Sequence, residues 1–233
     1  APFLFCKGEC MKIVDLKTTP VTVPMEAPLR WSLGVERGTT RTILEVETDE
    51  GIVGIGETYG GAATARGLQS LKEMVAGTDP FEFEKTLKKL QVFCISYETF
   101  VAPHVTAALE MACLDIVGKA LNRPVSSLLG GKHRDTVPFA AYLFYRYASS
   151  DGKGGEDSPE KMVEHTHALV EQYGFDVLKL KGGVLPPRQE LRTIQLLREA
   201  FPDFQIRFDP NAAWSVSTSI NTLRRMLDYD IEY

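Results

Sequence analysis

The 233-residue chain lacks the marks of a membrane protein, a disulfide-rich protein and a nucleic-acid-binding protein. No apolar run approaches the roughly 20 residues that a membrane-spanning helix requires, so we expect no membrane partner. Its four cysteines are too few for a disulfide framework, and we expect a cytoplasmic protein in which Cys94 and Cys113 pack as small apolar side chains. The 26 basic residues are outnumbered by 31 acidic ones and form no cluster, which argues against nucleic acid as a partner.

The chain divides into three stretches of different character. Residues 1–10 (APFLFCKGEC) match no signal peptide, and Met11 begins a run that resembles a natural start, so we expect residues 1–10 to be an extension or an artefact. Residues 11–135 carry β-rich runs followed by helical patterns. Residues 136–233 alternate between strand and helix patterns, and we expect these two stretches to be separate domains.

The stretch 11–135 predicts a small sheet covered by helices. Residues 12–24 and 41–57 are rich in strand-forming residues, and the second run contains the hairpin turn Asp49-Glu50-Gly51. The polar residues 25–40 predict a long loop between them. Helical patterns follow at 63–76, 81–93 and 103–121. The stretch therefore predicts an α+β domain.

The stretch 136–233 predicts parallel βα units. Strands are predicted at 138–145, 176–181 and 204–209, helices at 159–173, 188–200 and 218–228, and a further strand from Ile231. Ser158 and Pro159 suit the start of the first helix and Gly174 suits its end. A doubly wound sheet or a (β/α)8 barrel would give this alternation, although no GxGxxG follows the first strand. A whole barrel needs about 250 residues, so only its first part would be present.

Polar side chains are expected at the carboxyl ends of two neighbouring strands. Lys179 and Lys181 are two residues apart and share one face, as do Arg207 and Asp209 on the next strand. Barrel enzymes place their active sites at these strand ends. Asp209 and Asn211 beside two ammonium groups thus predict a metal and oxyanion site. A solvated edge strand would also explain the two lysines taken alone.

Several segments resemble one protein family. The runs KLKGGV at 179–184 and DPNAAWS at 209–215 closely resemble the enolase superfamily, and within it the glucarate dehydratase-like branch of the mandelate racemase/muconate lactonizing enzyme type. FAAYLFY at 139–145 resembles the first barrel strand of that branch, and RPVSSLLGG at 123–131 resembles the segment before it. The resemblance implies an α/β protein in which an α+β capping domain precedes a partial TIM-type (β/α) barrel.

The resemblance also implies roles for five residues. Lys181 would be the base that removes the proton α to a carboxylate, and Lys179 would lower its pKa and touch that carboxylate. Asp209 would be the first of three Mg²⁺ ligands, since superfamily sites combine a Lys or His base with Mg²⁺. Asn211 and Tyr142 would bind the substrate, a small sugar acid such as a hexarate. Loss of a β-hydroxyl would then make the reaction a dehydration.

The same resemblance implies further parts beyond these 233 residues. The other two metal ligands and an opposing His–Asp pair would follow Tyr233, and Glu232 is not expected to be a ligand. We therefore expect this chain alone to be an inactive fragment of a Mg²⁺-dependent acid-sugar dehydratase, which is a homo-oligomer at full length. Three alternatives stay open: a racemase or cycloisomerase of the same superfamily, a Schiff-base aldolase using Lys179 or Lys181, and a non-catalytic fragment.

Other conspicuous side chains are expected to be structural. His165 and His167 are two residues apart on a predicted helix and cannot share a face, so we expect both to be solvated. Trp214 follows the DPNAA run, and we expect it to pack near the strand ends. Trp31 would either cover the site or pack, and the sequence favours neither.

Overall fold

The computed structural model describes residues 10–94 and 101–233. The predicted extension lies outside these residues except for its last position, and so does the side chain of Cys94. Internal contacts divide the chain into two compact units. The first contains the residues up to Val23 and Thr39–Asp135, and the second contains Pro24–Gly38 and Thr136–Tyr233. Within the described residues, no helix combines the length and the apolar character needed to span a membrane.

The N-terminal region consists of a three-stranded sheet and the helices that follow it. The strands are β1 (Ile13–Trp31), β2 (Gly34–Thr48) and β3 (Val53–Tyr59), in the order β1-β2-β3. The helices are α1 (Ala62–Ser70), α2 (Lys72–Val75), α3 (Phe83–Cys94), α4 (Val101–Ala120) and α5 (Val125–Leu128), with a 3-10 turn at Pro80–Glu82. The predicted hairpin is confirmed, because β2 and β3 pair antiparallel with Leu44 opposite Gly56.

Glycines in β3 allow α4 to lie close to the sheet. A Cβ atom at Gly54 would overlap the carbonyl oxygen of Ala112, and one at Gly56 would overlap that of Ala108. Larger residues at these positions would force strand and helix apart. Cys113 lies in the same helix and is 2% exposed, so its predicted packing as a small apolar side chain is confirmed.

The predicted loop at 25–40 is wrong. β1 continues to Trp31 and β2 begins at Gly34, so only two residues separate the strands. The extended backbone is paired despite the polar side chains: the N–H of Arg30 donates to the carbonyl of Tyr145 at 2.9 Å, and the N–H of Tyr147 donates to that of Pro28 at 2.9 Å. Backbone pairing, and not apolar burial, therefore makes this segment a strand.

The second unit contains a parallel sheet with helices between its strands. β4 (Ala141–Phe144), β5 (Val177–Lys181) and β6 (Gln205–Asp209) lie in the order β4-β5-β6, and α6 (Pro159–Tyr173), α7 (Pro187–Ala200) and α8 (Val216–Met226) follow the strands in turn. The expected α/β fold, a capping sheet followed by a partial β/α region, is confirmed. Residues 231–233 form no strand, although the N–H of Glu232 donates to the carbonyl of Ile206 at 2.8 Å.

Alternation along β5 and β6 separates an apolar face from a polar one. Leu178, Leu180, Ile206 and Phe208 are at most 4% exposed and belong to a core that includes residues of α6, α7 and α8. The polar residues between them face the other side of the sheet. The sheet thus presents its charged side chains together at the strand ends.

Candidate functional site

Three of the predicted site residues meet at the carboxyl ends of β5 and β6. Register pairs Lys181 with Asp209 across the parallel strands. The ammonium group of Lys181 donates to Asp209 Oδ2 at 2.8 Å and to Asn211 Oδ1 at 2.8 Å. Only 9% of the Lys181 side chain is exposed, so its charge is largely shielded from water.

The two remaining site residues lie beside this group. Lys179 Nζ is 3.5 Å from Asp209 Oδ2, so both lysines share one carboxylate. Register places Tyr142 of β4 opposite Lys179, whose ammonium group lies 5.0 Å from the centre of the tyrosine ring. The Tyr142 residue is 44% exposed and can be reached from solvent. The structure therefore brings all five predicted residues together.

The Lys181–Asp209 pair shifts the pKa of both groups. Burial acts to lower the pKa of Lys181, but the hydrogen bond to Asp209 and the influence of Tyr142 outweigh it and raise the pKa. Burial likewise acts to raise the pKa of Asp209, and hydrogen bonds from Lys181 and from the Asn211 N–H lower it. The expected lowering of the Lys181 pKa by Lys179 is not found, because Lys181 binds the Asp209 carboxylate directly. In this state Lys181 is an ammonium group.

Asn211 is held by contacts on both sides. Its backbone N–H donates to Asp209 Oδ1 at 2.9 Å, and its backbone adopts a left-handed conformation with φ 54°. Its side-chain amide donates to Ser32 Oγ at 2.8 Å, which leaves the amide oxygen directed at Lys181. Ser32 was not identified from the sequence, since it lies 179 residues away and no local pattern marks it.

The donor chemistry of this site suits Mg²⁺ only in part. Asp209 offers the hard oxygen ligand that Mg²⁺ prefers. Across residues 10–94 and 101–233, however, no three His, Cys, Asp or Glu side chains are grouped so that they could hold a metal ion. The carboxylate of Glu232 accepts instead from Arg207 Nε at 2.6 Å. The described residues therefore supply one carboxylate of a donor set.

A second carboxylate lies beneath the loop that follows Lys181. Glu190, in the first turn of α7, is fully buried. Its Oε2 accepts from the N–H of Gly183 at 3.0 Å, and its Oε1 accepts from those of Val184 at 2.8 Å and Leu185 at 2.9 Å. Burial raises the pKa of Glu190, and the three N–H groups act against this rise. The sequence signal that could have identified it is an acidic residue just inside a helix after a Gly-Gly loop.

One histidine lies in a charged cluster near the end of β4. The prediction that His165 is solvated is wrong: its side chain is 22% exposed, and Nδ1 lies 3.6 Å from Glu156 Oε1. Arg146 binds the same carboxylate, with Nε 2.7 Å from Oε2 and Nη2 2.9 Å from Oε1. The loop before α6 brings Glu156 over the histidine, which helix periodicity cannot show. His167 is exposed as predicted, and Trp214 packs on Phe208 with ring centres 5.3 Å apart.

Two family descriptions match most of the chain. Mandelate racemase / muconate lactonizing enzyme, N-terminal domain, matches residues 13–130. Enolase C-terminal domain-like matches residues 161–233. The first match covers the three-stranded sheet and the helices after it, and the second covers most of α6 and the strands β5 and β6.

Relatives and solved structures agree with these descriptions. A probable glucarate dehydratase from Streptomyces coelicolor is 36% identical over an alignment of 260 positions. The alignment covers 96% of this chain and 57% of the relative. An enolase from Thermobispora bispora, solved with magnesium and formate, is 41% identical with a TM-score of 0.85, covering 93% of this chain and 56% of its own. An enolase from Pseudomonas fluorescens, solved with magnesium, potassium and tartrate, is 32% identical with a TM-score of 0.88. This match covers 97% of the present chain and 58% of the Pseudomonas chain.

Relatives of lower identity are named for other reactions. At 26% to 28% identity they include a hydrophobic dipeptide epimerase from Enterococcus faecalis, an N-succinyl-L-Arg/Lys racemase from Bacillus cereus and a muconate cycloisomerase from Acinetobacter baylyi. The chain spans 57% to 60% of the length of the curated relatives named here. With both domain types matched in sequence and the fold matched in structure, the chain belongs to the enolase superfamily.

Proposed function

We propose that the complete protein is a Mg²⁺-dependent dehydratase of a small sugar acid, a hexarate or a close relative. The observation that carries the proposal is the contact of Lys181 with Asp209 and Asn211 at the strand ends. The identity to a probable glucarate dehydratase supports the branch. Tartrate, found in a related structure, is a hydroxylated dicarboxylic acid and supports the substrate class.

The chemistry explains why these residue types are needed. A proton next to a carboxylate is weakly acidic, because its removal places negative charge beside a charge already present. Bound Mg²⁺ supplies Lewis-acid stabilisation of that charge, and Asp209 would be one of the groups that hold it. Lys181 would accept the proton, Lys179 would bind the substrate carboxylate, and Asn211 and Tyr142 would contact the substrate.

Lys181 must be neutral in order to accept a proton. Its pKa is raised here by the hydrogen bond to Asp209. Were the Asp209 carboxylate committed to a cation, Lys181 would lose this acceptor, and the charge of Lys179 would disfavour its ammonium form. The arrangement described here is thus the protonated form of the base.

The experiment measures turnover of a panel of hexarates and related acids by the complete protein with Mg²⁺. We expect Lys181→Met to lower kcat by about 1,000-fold, in the range typical of a lost general base. Lys161→Met, which removes an exposed lysine of α6, is the matched control and should leave kcat unchanged. The proposal fails if the wild-type protein converts none of these acids, or if Lys181→Met retains wild-type kcat.

A racemase or cycloisomerase reaction is the second candidate, because relatives at 26% to 28% identity carry those names. Product analysis separates the two: dehydration yields a product lighter by one water, whereas racemisation and cycloisomerisation conserve mass. Trapping of substrate by borohydride, without a need for Mg²⁺, would instead indicate a Schiff-base lysine.

Further parts of the proposal concern the whole protein. We propose two domains divided near residue 135, a cytoplasmic location, homo-oligomers at full length and no activity of the 233-residue chain by itself. Light scattering after gel filtration measures the mass in solution. Turnover by the 233-residue chain, compared with that of the complete protein, tests the last point.

A further inference from the structure

The loop after Lys181 is held by a carboxylate from the chain itself. Gly183, Val184 and Leu185 direct three consecutive backbone N–H groups at Glu190. Such a row of N–H groups forms an anion-binding concavity, which elsewhere can hold a phosphate. Here the anion is a fully buried side chain, although an uncompensated buried carboxylate is costly. Glu190 is therefore tied to this one loop conformation.

The same loop packs backbone against backbone on the loop that follows β6. The N–H of Gly182 donates to the carbonyl of Asp209 at 2.9 Å. A Cβ atom at Gly182 would overlap the ring of Phe208, and one at Gly183 would overlap the carbonyl oxygen of Pro210. Gly183 also has φ +76°, a conformation that favours glycine. Because the two loops are in direct contact at both glycines, we expect a shift of one loop to move the other.

We propose that Glu190 is a positioning residue of the candidate site. By holding residues 183–185 it keeps the loop after β5 against the loop after β6, and so keeps Lys181 within hydrogen-bond reach of Asp209 and Asn211. This inference rests on the proposed function insofar as Lys181 is the base. A base that is displaced by about 1 Å can lose about 100-fold in rate, so the loop geometry bears directly on kcat.

Glu190→Gln in the complete protein tests the proposal. The amide oxygen can still accept from Val184 and Leu185, but the NH₂ group would then face the N–H of Gly183, and two donors repel. We expect kcat for the sugar acid to fall about 100-fold while KM changes by less than about twofold. Glu199→Gln on the exposed side of the same helix is the matched control and should leave both constants unchanged.

Loss of stability must be separated from loss of position. Thr193→Val removes two hydrogen bonds of α7, that between Thr193 Oγ1 and Tyr145 Oη at 2.7 Å and that from Thr193 Oγ1 to the carbonyl of Gln189 at 3.1 Å, and leaves the three N–H bonds of the loop to Glu190 in place. It should lower the melting temperature and leave kcat at 25 °C unchanged. A fall in kcat of Thr193→Val equal to that of Glu190→Gln would overturn the proposal, since both would then report destabilisation.

A second measurement needs no turnover. Reductive methylation with ¹³C-formaldehyde gives each lysine an NMR signal, and Lys181→Arg assigns that of Lys181. We expect the Lys181 signal to move in Glu190→Gln and to stay in place in Glu199→Gln and Thr193→Val. If the wild-type protein turns over no sugar acid, the proposed function fails and this signal still decides the role of Glu190.

A signal and a kcat that both match the wild type in Glu190→Gln would overturn the inference. If Glu190→Gln does not fold, Glu190→Asp replaces it, because aspartate keeps the charge but withdraws the carboxylate by one methylene. We then expect about a tenfold fall in kcat, with a shifted Lys181 signal. Wild-type values for Glu190→Asp would be equally decisive against the proposal.

Discussion

Replacement of Arg198 tests how the second unit holds its last residues. The guanidinium group, near the C-terminal end of α7, lies within hydrogen-bond distance of five backbone carbonyls at 2.7 to 3.2 Å. Nε contacts the carbonyl of Tyr229, Nη2 contacts that of Asp230, and the two N–H groups of Nη1 are shared by those of Phe201, Pro202 and Phe204. These carbonyls lie at the end of α7, just before β6, and just before residues 231–233. Lysine keeps the charge that favours a helix C-terminus but has all three donors on one nitrogen. An ammonium group in the place of Nη1 would therefore lose the carbonyls of Tyr229 and Asp230.

The magnitude follows from the number of bonds that are lost. At about 1 kcal/mol for each, Arg198→Lys should lower the free energy of unfolding of this unit by about 2 kcal/mol. Arg198→Met keeps the apolar stem and loses all five bonds. The more exposed carbonyls, those of Pro202 and Asp230, can bond to water instead, which reduces the expected loss to about 3–4 kcal/mol. Arg192→Met, at an exposed position of the same helix, should cost less than about 0.5 kcal/mol.

Hydrogen exchange followed by mass spectrometry measures this effect locally. Peptides that cover 204–209 and 229–233 should exchange about 30-fold faster in Arg198→Lys, and faster still in Arg198→Met. Equal rates in Arg198→Met and Arg192→Met would refute the role of the five bonds. Equal rates in the two Arg198 variants would refute the counting of donors.

Two further predictions concern buried titratable groups. Burial, together with the charge of Glu110, raises the pKa of the Cys113 thiol to about 12. Iodoacetamide near pH 8 should therefore leave Cys113 unmodified in the folded chain and alkylate it in urea, and peptide mass spectrometry would reveal any contrary native labelling. Burial acts to raise the pKa of Glu156, but the hydrogen bonds from Arg146 outweigh it and hold the pKa below the ordinary 4.5. The stabilisation by this carboxylate is thus present above about pH 4.5 and lost as the pH falls. Glu156→Gln should cost about 3 kcal/mol near pH 7 and flatten the loss of melting temperature toward acid pH, whereas an unchanged acid profile would contradict this assignment.

Local signals predicted most of the second unit. Ser158 Oγ accepts from the N–H of Lys161 at 3.3 Å, and Gly174 ends α6 with φ 71°, so the start and end of this helix are confirmed. The shared face of Lys179 and Lys181 follows from period-2 alternation, and register then sets Asp209 beside Lys181. Caps and alternation act over a few residues, which is why a single sequence reveals them.

Contacts between a helix or strand and a loop outside it could not be predicted in the same way. Residues 25–40 have no apolar alternation that would predict a strand. Their extended backbone is instead ordered by hydrogen bonds to the backbone of Tyr145 and Tyr147. In the sequence Glu190 looks like an ordinary exposed residue of a helix, and only the adjoining loop makes it a buried hydrogen-bond acceptor. His165 is likewise partly covered by a carboxylate from the preceding loop. In each case the deciding partner lies outside the local pattern.

The second unit is assembled from two stretches of chain that residues 39–135 separate. The hydroxyl of Ser32 accepts a hydrogen bond from the side-chain amide of Asn211, and Ser32 is synthesised 179 residues before Asn211. At about 5–20 residues per second, a ribosome takes about 10–40 s to cover that distance. All the segments of the first unit are complete well within this interval, whereas residues 24–38 must wait for the strands they pair with. Vectorial synthesis therefore allows the candidate site to form only after every segment of the first unit has been made.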